Sequence, residues 1–105
     1  MSRMEESALR LIGLWTEPSN TDAFEQQYLG AHLELVRQLP HALSTTSSRC
    51  LDGQYYRLTE VTFGSLEDLH GALESPFGQR VIDAARKLEE VHGIQLHVLL
   101  VGDPG

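Results

Sequence analysis

The sequence predicts an α+β fold in which the elements follow the order βαββαβ, with a four-stranded antiparallel sheet and two helices on one face. Three observations predict it. Apolar runs near both ends of the chain suit strands, two longer segments carry apolar residues at steps of three and four, and two extended segments separated by a turn lie between them. A chain of 105 residues, 41% of them hydrophobic, is long enough for one modest core. We therefore expect residues 1–105 to form a single domain.

The first strand is predicted at residues 8–15, which read ALRLIGLW and are followed by the turn-prone EPSN. The first helix is predicted to begin at Thr21 or Asp22, with Glu25 completing a capping box, and to run to about Leu39. Its apolar positions recur at three- and four-residue steps, and His32 falls within the same stripe; these positions are Phe24, Tyr28, Ala31, Leu35 and Leu39.

The middle of the chain predicts a hairpin. Residues 41–50 are rich in Ser and Thr and are compatible with a strand through their β-branched members, and Asp52 with Gly53 supplies a turn. Residues 55–63 follow with aromatic and β-branched side chains. The two segments are therefore expected to pair as antiparallel neighbours.

A second helical region is predicted to open at Ser65, with Asp68 three residues on, and to be interrupted before Pro76. It restarts at Pro76, which suits a first helical turn, and ends at Gly93. The last strand is predicted at residues 94–101, which read IQLHVLLV. The complete order is that of a ferredoxin-like fold.

Composition narrows the possible partners. Fifteen acidic and eight basic residues give a net charge of −7, so neither nucleic acid nor an anionic membrane surface is an expected partner. The single cysteine, Cys50, cannot form an internal disulfide, which is typical of a reducing compartment. The first apolar run ends at Trp15 and predicts neither a signal peptide nor a spanning helix. We expect a cytoplasmic protein.

The first and last strands in the sequence also predict a homodimer. Both are apolar at successive positions instead of alternating, so the sheet face that lacks helices needs cover. A second copy stacked sheet to sheet supplies that cover, because two-fold homodimers are the commonest oligomers.

Several residues resemble a known family. In the first half they are Trp15, Pro18, Phe24, Tyr28, His32 and the run LVRQLP at 35–40, and in the second half they are the segment SPFGQ at 75–79 and Asp83. In this order they resemble the EthD family, over most of the chain. The resemblance implies a dimeric α/β barrel. Some similar barrels are cofactor-independent monooxygenases, cyclases, decarboxylases or isomerases that act on aromatic, polyketide or lactone compounds.

His32 is the leading candidate for a catalytic residue, because an imidazole titrates near neutral pH and moves a proton without a cofactor. Tyr28 lies one turn before it and would orient a substrate or stabilise an oxyanion. Trp15, Phe24 and Val36 are predicted to form the walls of a substrate pocket. The alternative for Trp15, Tyr28 and His32 is core packing, with His32 hydrogen-bonded to a carbonyl or hydroxyl group.

Other polar residues carry less information. Arg57, Thr59 and Glu60 on the third strand face either the helices or the dimer interior, and His97 is expected at the dimer interface. No pair of the histidines has a metal-ligand spacing and no phosphate-binding loop is present, so neither a metal nor a cofactor is expected.

Two functions of different classes remain. The first is a cofactor-independent enzyme for a small apolar, oxygenated or aromatic molecule, with His32 as the general base. The second is a non-catalytic ligand-binding or accessory homodimer, which the scarcity of other ionisable residues around His32 favours. Haem handling is a weaker third possibility, since no histidine is placed as an exposed axial ligand.

Overall fold

Four antiparallel strands form one sheet in the order β2-β3-β1-β4 in the computed structural model, which describes residues 9–102. Their bounds are Leu9–Thr16 for β1, Ala42–Arg49 for β2, Tyr55–Phe63 for β3 and Leu96–Gly102 for β4. The predicted α+β class and βαββαβ order are confirmed. Ala8, the first residue of the predicted β1, lies outside the described residues.

The first helical region is not the single regular helix that the sequence predicted. It consists of α1 at Thr21–Gln27, a π-helical segment at Tyr28–His32 and α2 at Leu33–Arg37, so it also ends short of the predicted Leu39. The N-cap is Asn20, whose side chain accepts a hydrogen bond from the Ala23 backbone N–H at 3.0 Å. This corrects the predicted caps, since Thr21 already has helical geometry.

The π-helical segment changes which side chains are buried. A π turn holds one more residue than an α turn, and here the Leu33 N–H donates to the carbonyl of Tyr28, five residues earlier. Ala31 is therefore exposed and Leu35 only half-buried, in contrast to the predicted stripe. The buried positions are Phe24, Tyr28, His32, Leu33, Val36 and Leu39.

The second helical region agrees with its prediction. It consists of α3 at Leu66–Glu74 and α4 at Pro76–His92. Ser65 caps α3 by accepting from the Asp68 N–H at 3.1 Å, and Ser75 caps α4 by accepting from the Gly78 N–H at 3.1 Å. None of the helices within residues 9–102 is long and apolar enough to cross a membrane.

The two faces of the sheet differ in what covers them. On the helix-facing side two buried apolar clusters form the core, one around Trp15 and Phe24 and the other around Val61 and Phe63. On the opposite side, here called the outer face, no helix within residues 9–102 lies over the strands. Its aliphatic side chains are Ile12, Leu14, Leu58, Leu99 and Val101.

A β-bulge interrupts the pairing of β1 with β3. Trp15 pairs with Arg57 and Thr16 pairs with Tyr55, so Tyr56 is an extra residue on β3. Because of this extra residue, the side chains of both Tyr56 and Arg57 reach α1, where each contacts Glu25.

Candidate functional site

A cavity of about 310 Å³ lies between the helix-facing side of the sheet and the helices. Its floor comes from β1, β3 and β4, and its roof comes from His32, α2, Leu39, Leu73 of α3, and α4. Gly13 pairs with Thr59 on one side and Val98 on the other, so the floor carries no side chain at its centre. Val98 is 57% exposed on the edge strand β4, and the cavity therefore reaches the surface along this strand. The volume suits a ligand of a few tens of atoms or fewer.

The cavity is predominantly apolar. Apart from His32 and Thr59, the polar residues in its lining are Arg86 and Glu89, both on α4. The Glu89 carboxylate accepts a hydrogen bond from the Leu96 backbone N–H at 2.8 Å, which anchors the start of β4. Such a lining favours a ligand that is largely apolar and carries few polar groups.

His32 is buried, with 4% of its surface exposed, and it lines the cavity. Its Nδ1 atom makes no hydrogen bond within residues 9–102 and is shielded from solvent. Burial lowers the pKa of His32 from 6.5 to about 4, because the charged imidazolium loses its hydration. The imidazole is therefore neutral at physiological pH.

Aromatic rings hold the imidazole in place. Trp15 meets it edge to face with the ring centroids 5.2 Å apart, and Tyr28 lies at 5.6 Å. The π-helical segment contains both Tyr28 and His32, and such segments occur frequently at functional sites.

A chain of hydroxyl groups runs from the cavity into the sheet. The Trp15 indole N–H donates to the Thr59 hydroxyl at 3.2 Å, and Thr59 is hydrogen-bonded in turn to the hydroxyl of Tyr28. The Tyr28 hydroxyl is also bonded to that of Ser47, at 2.8 Å. Arg57 donates a hydrogen bond to the Ser47 hydroxyl at 2.8 Å, at the end of the series opposite Trp15. We call Thr59, Tyr28 and Ser47 the hydroxyl chain.

The carboxylate of Glu25 on α1 fixes the position of Arg57, the residue that donates to Ser47. Glu25 accepts two hydrogen bonds from Nη2 of Arg57, at 2.8 and 3.0 Å, and a third from the Tyr56 hydroxyl. Burial, together with the hydrogen bond to Glu25, raises the pKa of Tyr56. The guanidinium also lies over the Tyr28 ring, 5.1 Å from its centroid. Arg57 is thereby fixed, with Nη1 directed at Ser47.

The structure places the five predicted site residues in two groups. Trp15, His32 and Val36 line the cavity. Phe24 and Tyr28 do not, since Phe24 is fully buried between Trp15 and Tyr56 and the Tyr28 hydroxyl is directed into the hydroxyl chain. Phe24 packs against Tyr56 at the bulged end of β3, whereas His32 at the end of the π-helical segment and Val36 on α2 lie over the cavity.

Sequence reasoning missed Ser47 and Glu25 and left the direction of Thr59 open. The pairing of Ser47 with Thr59 places both on the helix-facing side, which only the register of β2 and β3 determines. The spacing of Arg57 and Thr59, two apart on β3, was the available signal that they share a face. Glu60 and His97 lie on the outer face, where Glu60 approaches Arg10 at 3.7 Å.

Within residues 9–102, no three His, Cys, Asp or Glu side chains are close enough together to hold a metal ion. Cys50 is half-buried and has no cysteine partner in that range.

No family model matches the chain. An uncharacterized 11.0 kDa protein in the thcB-thcC intergenic region of Rhodococcus erythropolis is 31% identical over 75 residues, which cover 67% of this chain and 73% of that protein. Identity over this share of both chains shows common membership of one family.

Solved structures share the fold. An ethyl tert-butyl ether d (EthD) family protein from Bacillus halodurans matches with a TM-score of 0.84 at 20% identity, over 92% of this chain and 99% of that one. SnoaB, a cofactor-independent oxygenase from Streptomyces nogalater, matches with a TM-score of 0.69 at 14% identity, over 94% and 95% of the two chains. A dimeric protein of ferredoxin-like fold from Bacteroides fragilis matches at 0.65 and 10% identity, over 90% and 95%. The chain therefore belongs to the family of the Rhodococcus protein, and its ferredoxin-like fold is that of an EthD family protein, as the resemblance implied.

Proposed function

We propose that this protein is a cofactor-independent enzyme that encloses a small apolar, oxygenated or aromatic molecule and uses His32 as a general base. The carrying observation is the position of His32, a neutral imidazole in the wall of an otherwise apolar cavity. The likeness to SnoaB supports a small-molecule enzyme at the level of the fold, which by itself does not specify a reaction.

The low pKa of His32 is compatible with this role. The free base is present throughout the physiological pH range, although a proton on an isolated buried imidazole is unfavourable. Proton abstraction from a bound ligand creates an anion beside the new imidazolium, and attraction between the two charges raises the pKa of His32 in the complex. The base is thus weak in the empty cavity and stronger when an acidic ligand is bound.

A second candidate, a non-catalytic ligand-binding or accessory dimer, is favoured by one observation. Catalytic imidazoles usually donate one ring N–H to an orienting carboxylate or carbonyl, whereas Nδ1 of His32 has no such partner within residues 9–102. The carboxylate of Glu89 lines the same cavity but accepts from the backbone of β4. In this reading the cavity carries or senses a metabolite.

A homodimer is part of both proposals. The outer face presents five aliphatic side chains in an isolated protomer, and Leu99 there is 48% exposed. A protein of the same fold from Bacteroides fragilis is dimeric. Burial of this face against a second copy removes apolar surface from water, which favours association. A cytoplasmic location stays a prediction.

Exchange of carbon-bound hydrogen tests the general base without knowledge of the natural substrate. We would follow deuterium uptake from D₂O into 2-tetralone, an aromatic ketone with acidic α-protons, by NMR. Saturable acceleration by the wild type, reduced by about 10²-fold or more in His32→Gln, supports the enzyme. The matched control is His70→Gln, which changes an exposed histidine on α3 and should exchange like the wild type.

If 2-tetralone binds but exchanges no faster than in buffer, the enzyme proposal is wrong and the non-catalytic reading replaces it. Binding is followed independently through quenching of Trp15, the single tryptophan, whose ring lines the cavity. Far-UV circular dichroism of His32→Gln shows whether a loss of exchange reflects the missing base or a loss of fold.

A further inference from the structure

The direction of hydrogen bonding in the hydroxyl chain is constrained at both ends. The Arg57 guanidinium and the Trp15 indole N–H can donate hydrogen bonds but cannot accept them. The Ser47 hydroxyl must therefore accept from Arg57, and the Thr59 hydroxyl must accept from Trp15. Between them lie three hydroxyl groups with three hydrogens and two mutual contacts, Ser47 to Tyr28 and Tyr28 to Thr59. Each contact uses one hydrogen. One hydroxyl hydrogen is therefore left without an acceptor inside the chain.

Electrostatics selects the residue that holds this hydrogen. The guanidinium of Arg57 is positive and 2.8 Å from the Ser47 oxygen, so it repels the hydrogen of Ser47 toward Tyr28. Tyr28 then donates to Thr59, because its fully buried hydroxyl contacts only Ser47 and Thr59 among the described residues, and the opposite direction would leave the Tyr28 hydrogen without an acceptor. Hydrogen bonds aligned in this way polarise one another in the low dielectric of a protein interior. The remaining hydrogen consequently belongs to Thr59.

Of the three residues in the hydroxyl chain, Thr59 is the one that a ligand in the cavity can contact. It is 6% exposed and lines the cavity, whereas Tyr28 and Ser47 are not in its lining. Its oxygen already accepts from Trp15 and is bonded to Tyr28, so donation is what remains for a bound molecule. His32 lines the same cavity, and the Trp15 ring contacts both residues.

We propose that Thr59 donates a hydrogen bond to an anionic oxygen of the ligand, and that Ser47 and Arg57 are positioning residues that polarise this hydroxyl through Tyr28. The inference rests on the proposed function and names its substrate class: a compound whose carbonyl or phenol oxygen becomes an enolate or phenolate. For an enolisable carbonyl, the α-proton passes to the imidazole of His32, the C–H electron pair forms the C=C bond, and the carbonyl π pair moves to the oxygen that Thr59 holds. No oxidant or reductant is needed for this step.

The ligand probe 4-nitrophenol tests the inference because its phenolate absorbs visible light and its phenol form does not. The wild type should bind the phenolate more tightly than the phenol, so the bound probe ionises at a lower pH than the free probe. A hydrogen bond to a charged group corresponds to about tenfold or more in affinity, so the preference for phenolate should be about tenfold. Thr59→Val should abolish the preference, and Thr59→Ser should retain it.

Ser47→Ala separates a relay from a simple contact. Ser47 does not line the cavity, yet its removal disconnects Arg57 from Thr59, so the preference for phenolate should fall severalfold while the phenol form binds as in the wild type. Thr62→Val and Ser48→Ala are matched controls, since both residues lie on the outer face of the same two strands. Both should keep the wild-type preference.

Three results would overturn the inference, and they differ in whether the proposed function also fails. If Ser47→Ala retains the full preference, the relay is wrong. If Thr59→Val also retains it, Thr59 is not the donor, and in both cases the cavity and the His32 proposal stand. If the wild type binds neither form of 4-nitrophenol, the inference falls together with the proposed function.

Discussion

The imidazole of His32 stands edge-on to the indole of Trp15, with ring centroids 5.2 Å apart and an angle of 82° between the planes. The Tyr28 ring lies 5.6 Å from the same imidazole at 35°, so two aromatic rings restrict its rotation. An imidazole enclosed by aromatic surface keeps its position at the cavity wall but loses the water that would stabilise its charge.

This enclosure predicts a pH dependence of stability. The pKa of His32 is about 4 in the folded protein and about 6.5 when unfolded, so between these values the unfolded chain binds the extra proton. The free energy of unfolding has its full value when the pH is above the unfolded-state pKa of His32, and it decreases as the pH falls from that pKa to the folded-state pKa. The full difference corresponds to roughly 3 kcal/mol in the free energy of unfolding. Urea denaturation at about pH 7 and about pH 4.5 measures it.

The contribution of His32 is isolated by His32→Gln, which removes the titrating group. This variant should lose less stability than the wild type between the two pH values. His70→Gln, at an exposed position, should follow the wild-type curve. Equal pH dependence of all three proteins would contradict the assignment to His32.

Gly78 predicts a severe steric effect at the junction of α3 and α4. A Cβ atom at this position would lie 2.2 Å from the carbonyl oxygen of Ala72 and 2.4 Å from that of Leu73. Because both atoms belong to the backbone, Gly78→Ala must displace α3 relative to α4. We expect a loss of about 3 kcal/mol or more, observed as a lower Tm.

Gly71, on the exposed side of α3, is the matched control for that change. A Cβ there has its nearest neighbour at 3.9 Å, the Cδ2 atom of His41, which is an ordinary contact. Gly71→Ala should raise the free energy of unfolding by up to about 1 kcal/mol through helix propensity. Similar effects of the two substitutions would show that the close approach at Gly78 is wrong.

The ion pair of Glu25 with Arg57 should contribute far more than the surface pair of Glu34 with Arg37. The Arg57 side chain is 10% exposed and that of Glu25 is 21% exposed, whereas both members of the other pair are more than half exposed. Glu25→Gln leaves a guanidinium enclosed without its counter-charge and should cost about 3 kcal/mol. Glu34→Gln should change stability by less than about 0.5 kcal/mol. Urea midpoints of the two variants compare them, and a small effect of Glu25→Gln would refute the buried pair.

The outer face predicts a specific change of oligomeric state. Leu99→Glu places a charge among the aliphatic side chains of this face and should convert a dimer, twice 11.7 kDa, into a monomer. Leu51→Glu, at a loop residue that is 97% exposed, should leave the mass unchanged. Sedimentation equilibrium measures both masses. A monomeric wild type would contradict the proposed dimer. A Leu99→Glu variant that stays dimeric would show that the interface is not on the outer face.

Three of the strands and the second helical region could be predicted because apolar or aromatic runs and capping residues determine them locally, and the Ser- and Thr-rich β2 could be predicted from its β-branched residues and the turn that follows it. Ser65 and Ser75 cap the helices that follow them, as their sequence context indicates. The π-helical segment could not be predicted, since apolar steps of three and four fit both a continuous α-helix and one that contains a wider turn. It is visible in the structure, where Leu33 is buried while Ala31 is exposed and Leu35 is half-buried.

The candidate site was predictable in part. Trp15 at the end of β1, together with His32 and Val36 in the first helical region, reaches the cavity as predicted, but the hydroxyl chain joins β2, β3 and the helical region. Its assembly depends on the register of β2 with β3 and on the bulge at Tyr56, and neither is encoded in a local motif. The sequence around Ser47 is rich in Ser and Thr and does not indicate which residues the Ser47 hydroxyl would contact.

The wide turn at Tyr28–His32 acts as a one-residue offset between two helical frames. Before it, α1 directs Glu25 and Phe24 toward the bulged end of β3; after it, α2 directs Val36 toward the floor of the cavity. The Leu33 N–H bonds to the Tyr28 carbonyl, so Leu33 stands where the fourth residue after Tyr28 would stand in a regular α-helix. If the same residues formed an unbroken α-helix, the part after Tyr28 would be rotated by about 100° relative to α1, and Val36 would turn away from the cavity. The wide turn therefore absorbs one extra residue and keeps both halves of the helical region on their partner surfaces.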